Sequence, residues 1–184
     1  MKRRYIILTG IPASGKSTIG LAIATSLGLE MLDKDEILEA LFDTEGVGDV
    51  EWRTRLSRAA DEILREKAVR SEGAVITSWW RHPLSTIASG TPVEWLSNLP
   101  GLLIEVHCVC KPHVATKRFK SRQRHEGHLD QFKPYSDLLT TFEQQAALGP
   151  LGVGLLIPVN TERSVEIPAL VAKIDSVSKH QTAK

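Results

Sequence analysis

Apolar positions along the chain switch between a spacing of two and a spacing of three to four. Tyr5–Thr9 is an apolar run of strand length, and Ser17–Leu27 then sets Ile19, Ala22, Ile23 and Leu27 on one helical face. Glu30–Leu32 predicts a brief second strand with Asp33 at its end. Asp35–Phe42 carries Ile37, Leu38, Leu41 and Phe42 at helical spacing, and Asp33 with Glu36 supplies a capping-box-like start. A longer amphipathic helix is expected over Glu51–Val69, burying Trp52, Leu56, Ala59, Ala60 and Ile63. Ala74–Thr77 and Gly101–Val109 read as strands three and four, Pro112–Arg122 and Ser136–Ala147 as helices, and Leu155–Val159 as a fifth strand. Val165–Val177 closes the pattern with Ile167, Leu170, Val171, Ile174 and Val177 on one face. The least periodic stretch, Trp79–Pro100, predicts a long loop with one helical turn around Val93–Leu96, and long loops inside compact domains are usually functional.

Strands alternating with helices imply parallel crossovers, hence an α/β sheet covered on both faces. No repeat or low-complexity segment interrupts the 184 residues, so one domain over 1–178 with a loose tail at 179–184 is expected. Lys and Arg number 23 against 22 Asp and Glu, a balance that gives no global field for DNA or an anionic membrane. The basic and apolar start, Met1–Leu8, imitates a targeting segment, but the run breaks at Thr9-Gly10-Ile11-Pro12. With no apolar stretch near the ~18 residues of a membrane span, the expectation is a cytoplasmic protein without a membrane partner. Cys108 and Cys110 are too close to bridge. Strand alternation separates them from His107 and Val109, so they read as buried small hydrophobes and not as zinc ligands.

Gly10-Ile11-Pro12-Ala13-Ser14-Gly15-Lys16-Ser17 matches GxxxxGK[ST] between an apolar strand and an amphipathic helix. Glycines let the backbone amides turn inward around a phosphate, at a helix N-terminus whose dipole favours anions. Gly10 to Thr18 are therefore assigned to a nucleoside triphosphate, Lys16 to its β- and γ-phosphates, and Ser17 to Mg²⁺, with Asp33 a further metal candidate. A GTPase reading fails. Asp43-Thr44-Glu45-Gly46 fits DxxG but follows a helix, and Asn160-Thr161-Glu162-Arg163 lacks the Lys and Asp of NKxD. The third strand ends in Thr77-Ser78-Trp79 without the acidic residues usual in transporter and motor ATPases.

Gly10–Ser17, Lys34-Asp35-Glu36-Ile37 and Lys117–Arg124 fall in the order seen in zeta-toxin-like and polynucleotide-kinase-like P-loop kinases, and the chain resembles that group, chloramphenicol phosphotransferases included. The resemblance implies a three-layer P-loop NTPase fold, a mainly parallel five-stranded sheet and a helical lid at about 118–135. It further implies ATP or GTP with Mg²⁺ as donor, and transfer to a hydroxyl. Asp35 stands at the group's catalytic aspartate, Thr161–Arg163 where the nucleotide base is contacted, and Arg118 and Arg122, with Arg124 behind them, among the lid arginines that close on the donor phosphates.

Two departures bear on the acceptor. Leu38 occupies the place of the arginine with which polynucleotide kinases hold substrate phosphate, and Ser78-Trp79-Trp80-Arg81 replaces an aspartate after the third strand. Trp79 is read as a wall for the acceptor and Arg81 as a grip on its anion. In shikimate kinases a helical arginine holds the acceptor's carboxylate; Arg55 and Arg58 are candidates here, although Glu62 on that face also suits a solvated ion-paired surface. Asp33-Lys34-Asp35 echoes the Asp-x-Asp of those enzymes, whose glycine triplet is absent. The sequence thus points to a kinase with a small-molecule hydroxyl acceptor. Its alternatives are a polynucleotide 5′-hydroxyl kinase and a nucleotide-binding regulatory or toxin-like ATPase.

Overall fold

Tyr5, Ile6, Ile7 and Leu8 are all fully buried, so the strand they form, β1 (Arg4–Thr9), is central. The structure is a computed structural model that describes residues 3–182. β1 pairs in parallel with β3 (Ala74–Thr77) and β4 (Leu102–Val109); β2 (Glu30–Asp33) adds to β3 and β5 (Leu155–Asn160) to β4. The five-stranded sheet has the order β2-β3-β1-β4-β5, so both β1 flanks are reached by crossovers.

Alternation along β1 feeds two cores. Ile6 and Leu8 face Ile19, Ile23 and Ala24 of α1 (Lys16–Leu27) and Leu170 and Ile174 of α6 (Ile167–Thr182). Tyr5 and Ile7 face Leu64 and Ala68 of α3 (Val50–Arg70), together with Trp80, Val93, Leu96 and Leu99 of the long loop. A third cluster joins Ile11 and Cys110 to α4 (Pro112–Ser121) and α5 (Tyr135–Leu148); a fourth joins α2 (Lys34–Glu45) to α3 through Leu38, Phe42, Leu56 and Ala60.

The expected elements are all present, with differences at their edges. Ala59 is exposed, because the buried stripe of α3 runs Leu56, Ala60, Leu64, Ala68. β4 stops at Val109, so Cys110 leaves the alternation and packs against α4 and α5 instead of beside Cys108. Val165 precedes α6, and that helix continues to Thr182 through most of the expected tail; Met1, Lys2, Ala183 and Lys184 lie outside the described residues. The loop after β3 is stitched by a Trp80–Thr91 bridge and by a 3-10 turn at Glu94–Asn98. Among the described residues no helix is long and apolar enough to cross a membrane.

A buried carboxylate with no motif around it organises the sheet centre. Glu105, fully buried on β4, accepts from Thr9 Oγ1 at 2.8 Å and from the amides of Leu151, Gly152 and Val153 at 2.7, 2.8 and 3.2 Å. It ties β1 and the α5–β5 connection to the sheet centre.

Candidate active site

The phosphate loop bridges β1 and α1. Gly10 (φ +122°) and Gly15 (φ +97°) take left-handed backbone, and a Cβ on Gly10 would collide with the Cys108 carbonyl. Ala13 also has positive φ, at 58°. No side chain caps the N-terminus of α1 and no acidic residue occupies its first turn, which leaves its amides to an incoming anion. Lys16 Nζ donates to Gly10 O and Ile11 O, both at 2.9 Å, and burial lowers its pKa to about 8.

Ser17 Oγ donates to Asp33 Oδ2 at 2.6 Å, and Asp33 Oδ1 accepts from Asp35 N at 2.9 Å, capping α2. Burial pushes the Asp33 carboxyl up to about 6, against the Ser17 hydrogen bond that favours its ionised form. A hydroxyl and an under-compensated carboxylate side by side are the hard oxygen donors that Mg²⁺ takes alongside phosphate oxygens. Among the described residues no group of three or more His, Cys, Asp or Glu is assembled for a metal, so such an ion would depend on the nucleotide for most of its ligands.

One cleft of about 610 Å³ brings together Pro12, Ala13, Gly15, Lys16, Ser17 and Thr18 with Asp33, Asp35, Trp79, Arg118, Arg122, Thr161 and Arg163. Ser14 is fully buried beneath it, while Gly10 and Ile11 border a second, smaller cavity. Three expected acceptor residues lie elsewhere. Arg55 is exposed and paired with Glu45 at 2.6 Å, Arg58 is exposed, and Arg81 lines the smaller cavity. Arg53 is the arginine of α3 that lines the cleft. Its spacing explains this: Leu56, Ala60 and Leu64 follow it by three, seven and eleven residues, so it shares the buried stripe, whereas Arg55 and Arg58 fall on the far side. That register was visible in the sequence and pointed to Arg53.

The segment after α4 is folded down on α2. Arg124 Nη2 donates to Asp35 Oδ2 at 2.5 Å and Nη1 to Asp130 Oδ2 at 2.8 Å, while Lys133 Nζ reaches Asp130 Oδ1 at 2.6 Å. His128, almost fully buried, meets Glu39 at 2.8 Å, and His125 meets Asp43 at 3.2 Å. Phe42 stacks on Trp52 and touches both histidine rings, and a Cβ on Gly127 would overlap the Phe42 ring. Asp130 and Lys133 belong to no motif in the sequence, and Arg124, not Arg118 or Arg122, is the arginine of its cluster that meets Asp35. Arg118 Nη2 donates to Thr161 O at 3.0 Å, and the Arg122 guanidinium lies 4.5 Å over the Phe119 ring. The Nε atoms of Arg53 and Arg122 and the Trp79 Nε1 are buried without a hydrogen-bond partner, and all three residues line the cleft.

A family model described as an AAA domain matches residues 6–139. The chain is similar to a shikimate kinase of Legionella pneumophila (strain Corby), 35% identical over an alignment of 96 residues that covers 46% of this chain and 54% of that one. A shikimate kinase of Actinobacillus pleuropneumoniae serotype 5b (strain L20) is 33% identical over 79 residues, 42% of this chain and 45% of its own. The chain thus spans about half the length of the curated relatives it matches. Among solved structures, a putative kinase from Chloroflexus aurantiacus J-10-fl superposes with a TM-score of 0.79 at 29% identity, covering 96% of this chain and 98% of that one.

Proposed function

The chain belongs to the AAA domain family, and from that premise and the cleft's geometry we propose a kinase that moves the γ-phosphoryl group of ATP or GTP onto a hydroxyl of a small anionic acceptor. The observation that carries this reading is that the phosphate loop, Asp35 and the arginines of the α4 segment open onto one cavity. Similarity to kinases along the chain supports it. Finer placement in the zeta-toxin-like and polynucleotide-kinase-like group rests on Lys34–Ile37 and Lys117–Arg124.

Phosphoryl transfer has a loose transition state, so alignment of the hydroxyl and neutralisation of the migrating charge dominate. Lys16 exchanges the carbonyls of Gly10 and Ile11 for β- and γ-phosphate oxygens as the nucleotide enters. When bound beside Ser17 and Asp33, Mg²⁺ supplies further positive charge to those oxygens. Thr161 and Arg163 border the nucleotide's base. Asp35, with Oδ2 held by Arg124, offers Oδ1 to the acceptor hydroxyl. The acceptor oxygen bonds to phosphorus, the bond to the nucleoside diphosphate breaks, and the hydroxyl proton passes to Asp35. Arg118 and Arg122, with the segment 122–134 acting as lid, meet the charge in transit.

An unsatisfied donor on the cleft's wall, Arg53 Nε, favours an acceptor with a carboxylate or phosphate. Leu38 argues against a polynucleotide end, since this residue, 2% exposed, packs against Phe42, Leu56 and Ala60 and brings no phosphate-binding group to the cleft. Incubation with γ-labelled ATP and GTP against hydroxy acids, sugar phosphates, neutral polyols and 5′-hydroxyl oligonucleotides tests the reading. Transfer to an anionic small molecule, lost in Lys16→Ala and Asp35→Asn proteins, is expected. Hydrolysis indifferent to Asp35→Asn and to every acceptor would replace the kinase with a nucleotide-binding regulator, and efficient oligonucleotide labelling would replace the acceptor class.

A further inference from the structure

The smaller cavity, about 100 Å³, lies across the start of the phosphate loop from the nucleotide cleft. Gly10 and Ile11 line it, Pro12 and Ala13 line the cleft, and Trp79 borders both spaces. Among the described residues its lining contains no Asp or Glu, and Arg81 is its one permanent cation.

The backbone holds Arg81 firmly. Its amide donates to Thr91 O and the Thr91 amide to Trp79 O, each at 2.8 Å, and a Cβ on Gly90 (φ +100°) would lie 2.9 Å from Trp79 O. Of the guanidinium, Nη2 makes one long contact with Gly90 O at 3.3 Å, while Nε is buried without a partner, as is the Trp79 Nε1. His82 has both nitrogens engaged: Nδ1 accepts from Leu84 N at 3.1 Å, so Nε2 carries the proton it turns to Pro150 O at 3.1 Å. Behind Thr9, the Glu105 oxygens are taken up by the Thr9 hydroxyl and the Leu151–Val153 amides. His107 completes this side of the lining, its Nδ1–H donating to Thr9 Oγ1 at 2.8 Å because the Thr9 hydroxyl proton goes to Glu105, and among the described residues the lining offers Arg81 no carboxylate. Buried donors in folded proteins nearly always find an acceptor, which calls for an occupant made of oxygen lone pairs. Water takes up roughly 30 Å³ per molecule in the liquid, so a space of this size suits a small oxyanion and is too small for a nucleotide.

We propose that this cavity is an anion site separate from the nucleotide cleft, binding a small oxyanion such as inorganic phosphate through the Arg81 guanidinium and the Trp79 indole N–H. The planar fork of arginine fits two oxygens of such an ion at once. Because Trp79 walls both spaces, an anion held here also holds the indole that faces the cleft, and the two sites bind with reciprocal coupling. The site needs only the cavity and its donors, so it stands apart from the kinase reading.

Titration of the full chain with inorganic phosphate, followed by tryptophan fluorescence and calorimetry, tests this. Lys16→Ala protein is titrated beside the wild type to remove the phosphate loop's own affinity. Saturable millimolar binding is expected in both, weakened about tenfold or more by Arg81→Leu, equivalent to the loss of a charged hydrogen bond. Nucleotide binding by Arg81→Leu protein stays at the wild-type level. Trp79→Phe, which removes the indole N–H and keeps an aromatic wall, weakens phosphate by a smaller factor and serves where Arg81→Leu fails to fold. Phosphate binding that vanishes in Lys16→Ala protein, that neither Arg81→Leu nor Trp79→Phe diminishes, or that is absent from the wild type overturns the proposal.

Discussion

Arg124 Nη2 lies 2.5 Å from Asp35 Oδ2, so the segment after α4 is anchored to the carboxylate proposed to hold the acceptor. The guanidinium side chain is 14% exposed and bridges to Asp130, whereas Asp35 is 48% exposed. The pair therefore combines a desolvated cation with a carboxylate that solvent partly screens.

Replacing Arg124 with leucine keeps bulk and removes the bridge, leaving Asp130 to Lys133. A stability loss of about 1–2 kcal/mol is expected, below that for a fully buried pair because Asp35 is half in water. Amide exchange over residues 122–134 should accelerate in the same variant. Wild-type denaturation and unchanged protection there would show that packing of Phe42, and not the ion pair, seats the segment.

For the proposed nucleotide site, acid and base limits are expected from Asp33 and Lys16. Burial raises the Asp33 pKa from 3.8 to about 6, so ionising it costs the folded chain a penalty that grows between those pH values and is complete above them. The Lys16 penalty is present while the ammonium is charged and fades from about 8 to 10.5 as it deprotonates. In the proposed role, Mg-nucleotide needs the carboxylate ionised and the ammonium charged. Its affinity should therefore peak between about pH 6 and 8, falling toward tenfold per unit beyond either edge. Calorimetry across that range, repeated on Asp33→Asn protein, checks it. The variant should melt higher than wild type at about pH 8 without ligand, lose Mg²⁺-dependent affinity and lack the acid limb that Asp33 causes. An unchanged acid limb would remove Asp33 from the metal's surroundings.

Arg53→Leu should raise the acceptor KM by roughly ten- to a hundredfold, the loss of a charged hydrogen bond, with the nucleotide KM unaltered. Arg55→Leu and Arg58→Leu should alter neither, since both side chains are exposed outside the cleft. Steady-state kinetics with whichever acceptor the screen identifies separates the three; an acceptor effect from Arg55 or Arg58 would reverse the assignment.

Glu105→Gln turns one accepting oxygen into a donor facing donors. A loss of about 2–4 kcal/mol is expected from the buried, multiply bonded position, read as a lower denaturant midpoint. Equal stability would mean that the amides of Leu151, Gly152 and Val153 find water instead.

Local patterns made much of this protein legible in advance. Apolar runs and helical stripes announce all five strands and the helices between them, because burial of a face depends on spacing over a few residues. The phosphate loop is equally local, its glycines and Lys16 being adjacent by chemistry and by chain, and Asp33 and Asp35 follow from the end of β2. Partners of side chains were another matter. Arg124 and Asp35 are 89 residues apart, and Glu105 meets amides 46 to 48 residues on. No periodicity encodes such meetings; they exist only once the strand order β2-β3-β1-β4-β5 and the return of the α4 segment onto α2 bring those groups within reach. Chain spacing determined which residue types face inward, while tertiary structure decided which charges are neutralised and which donors stay open, because electrostatic pairing depends on distance through space and not along the chain.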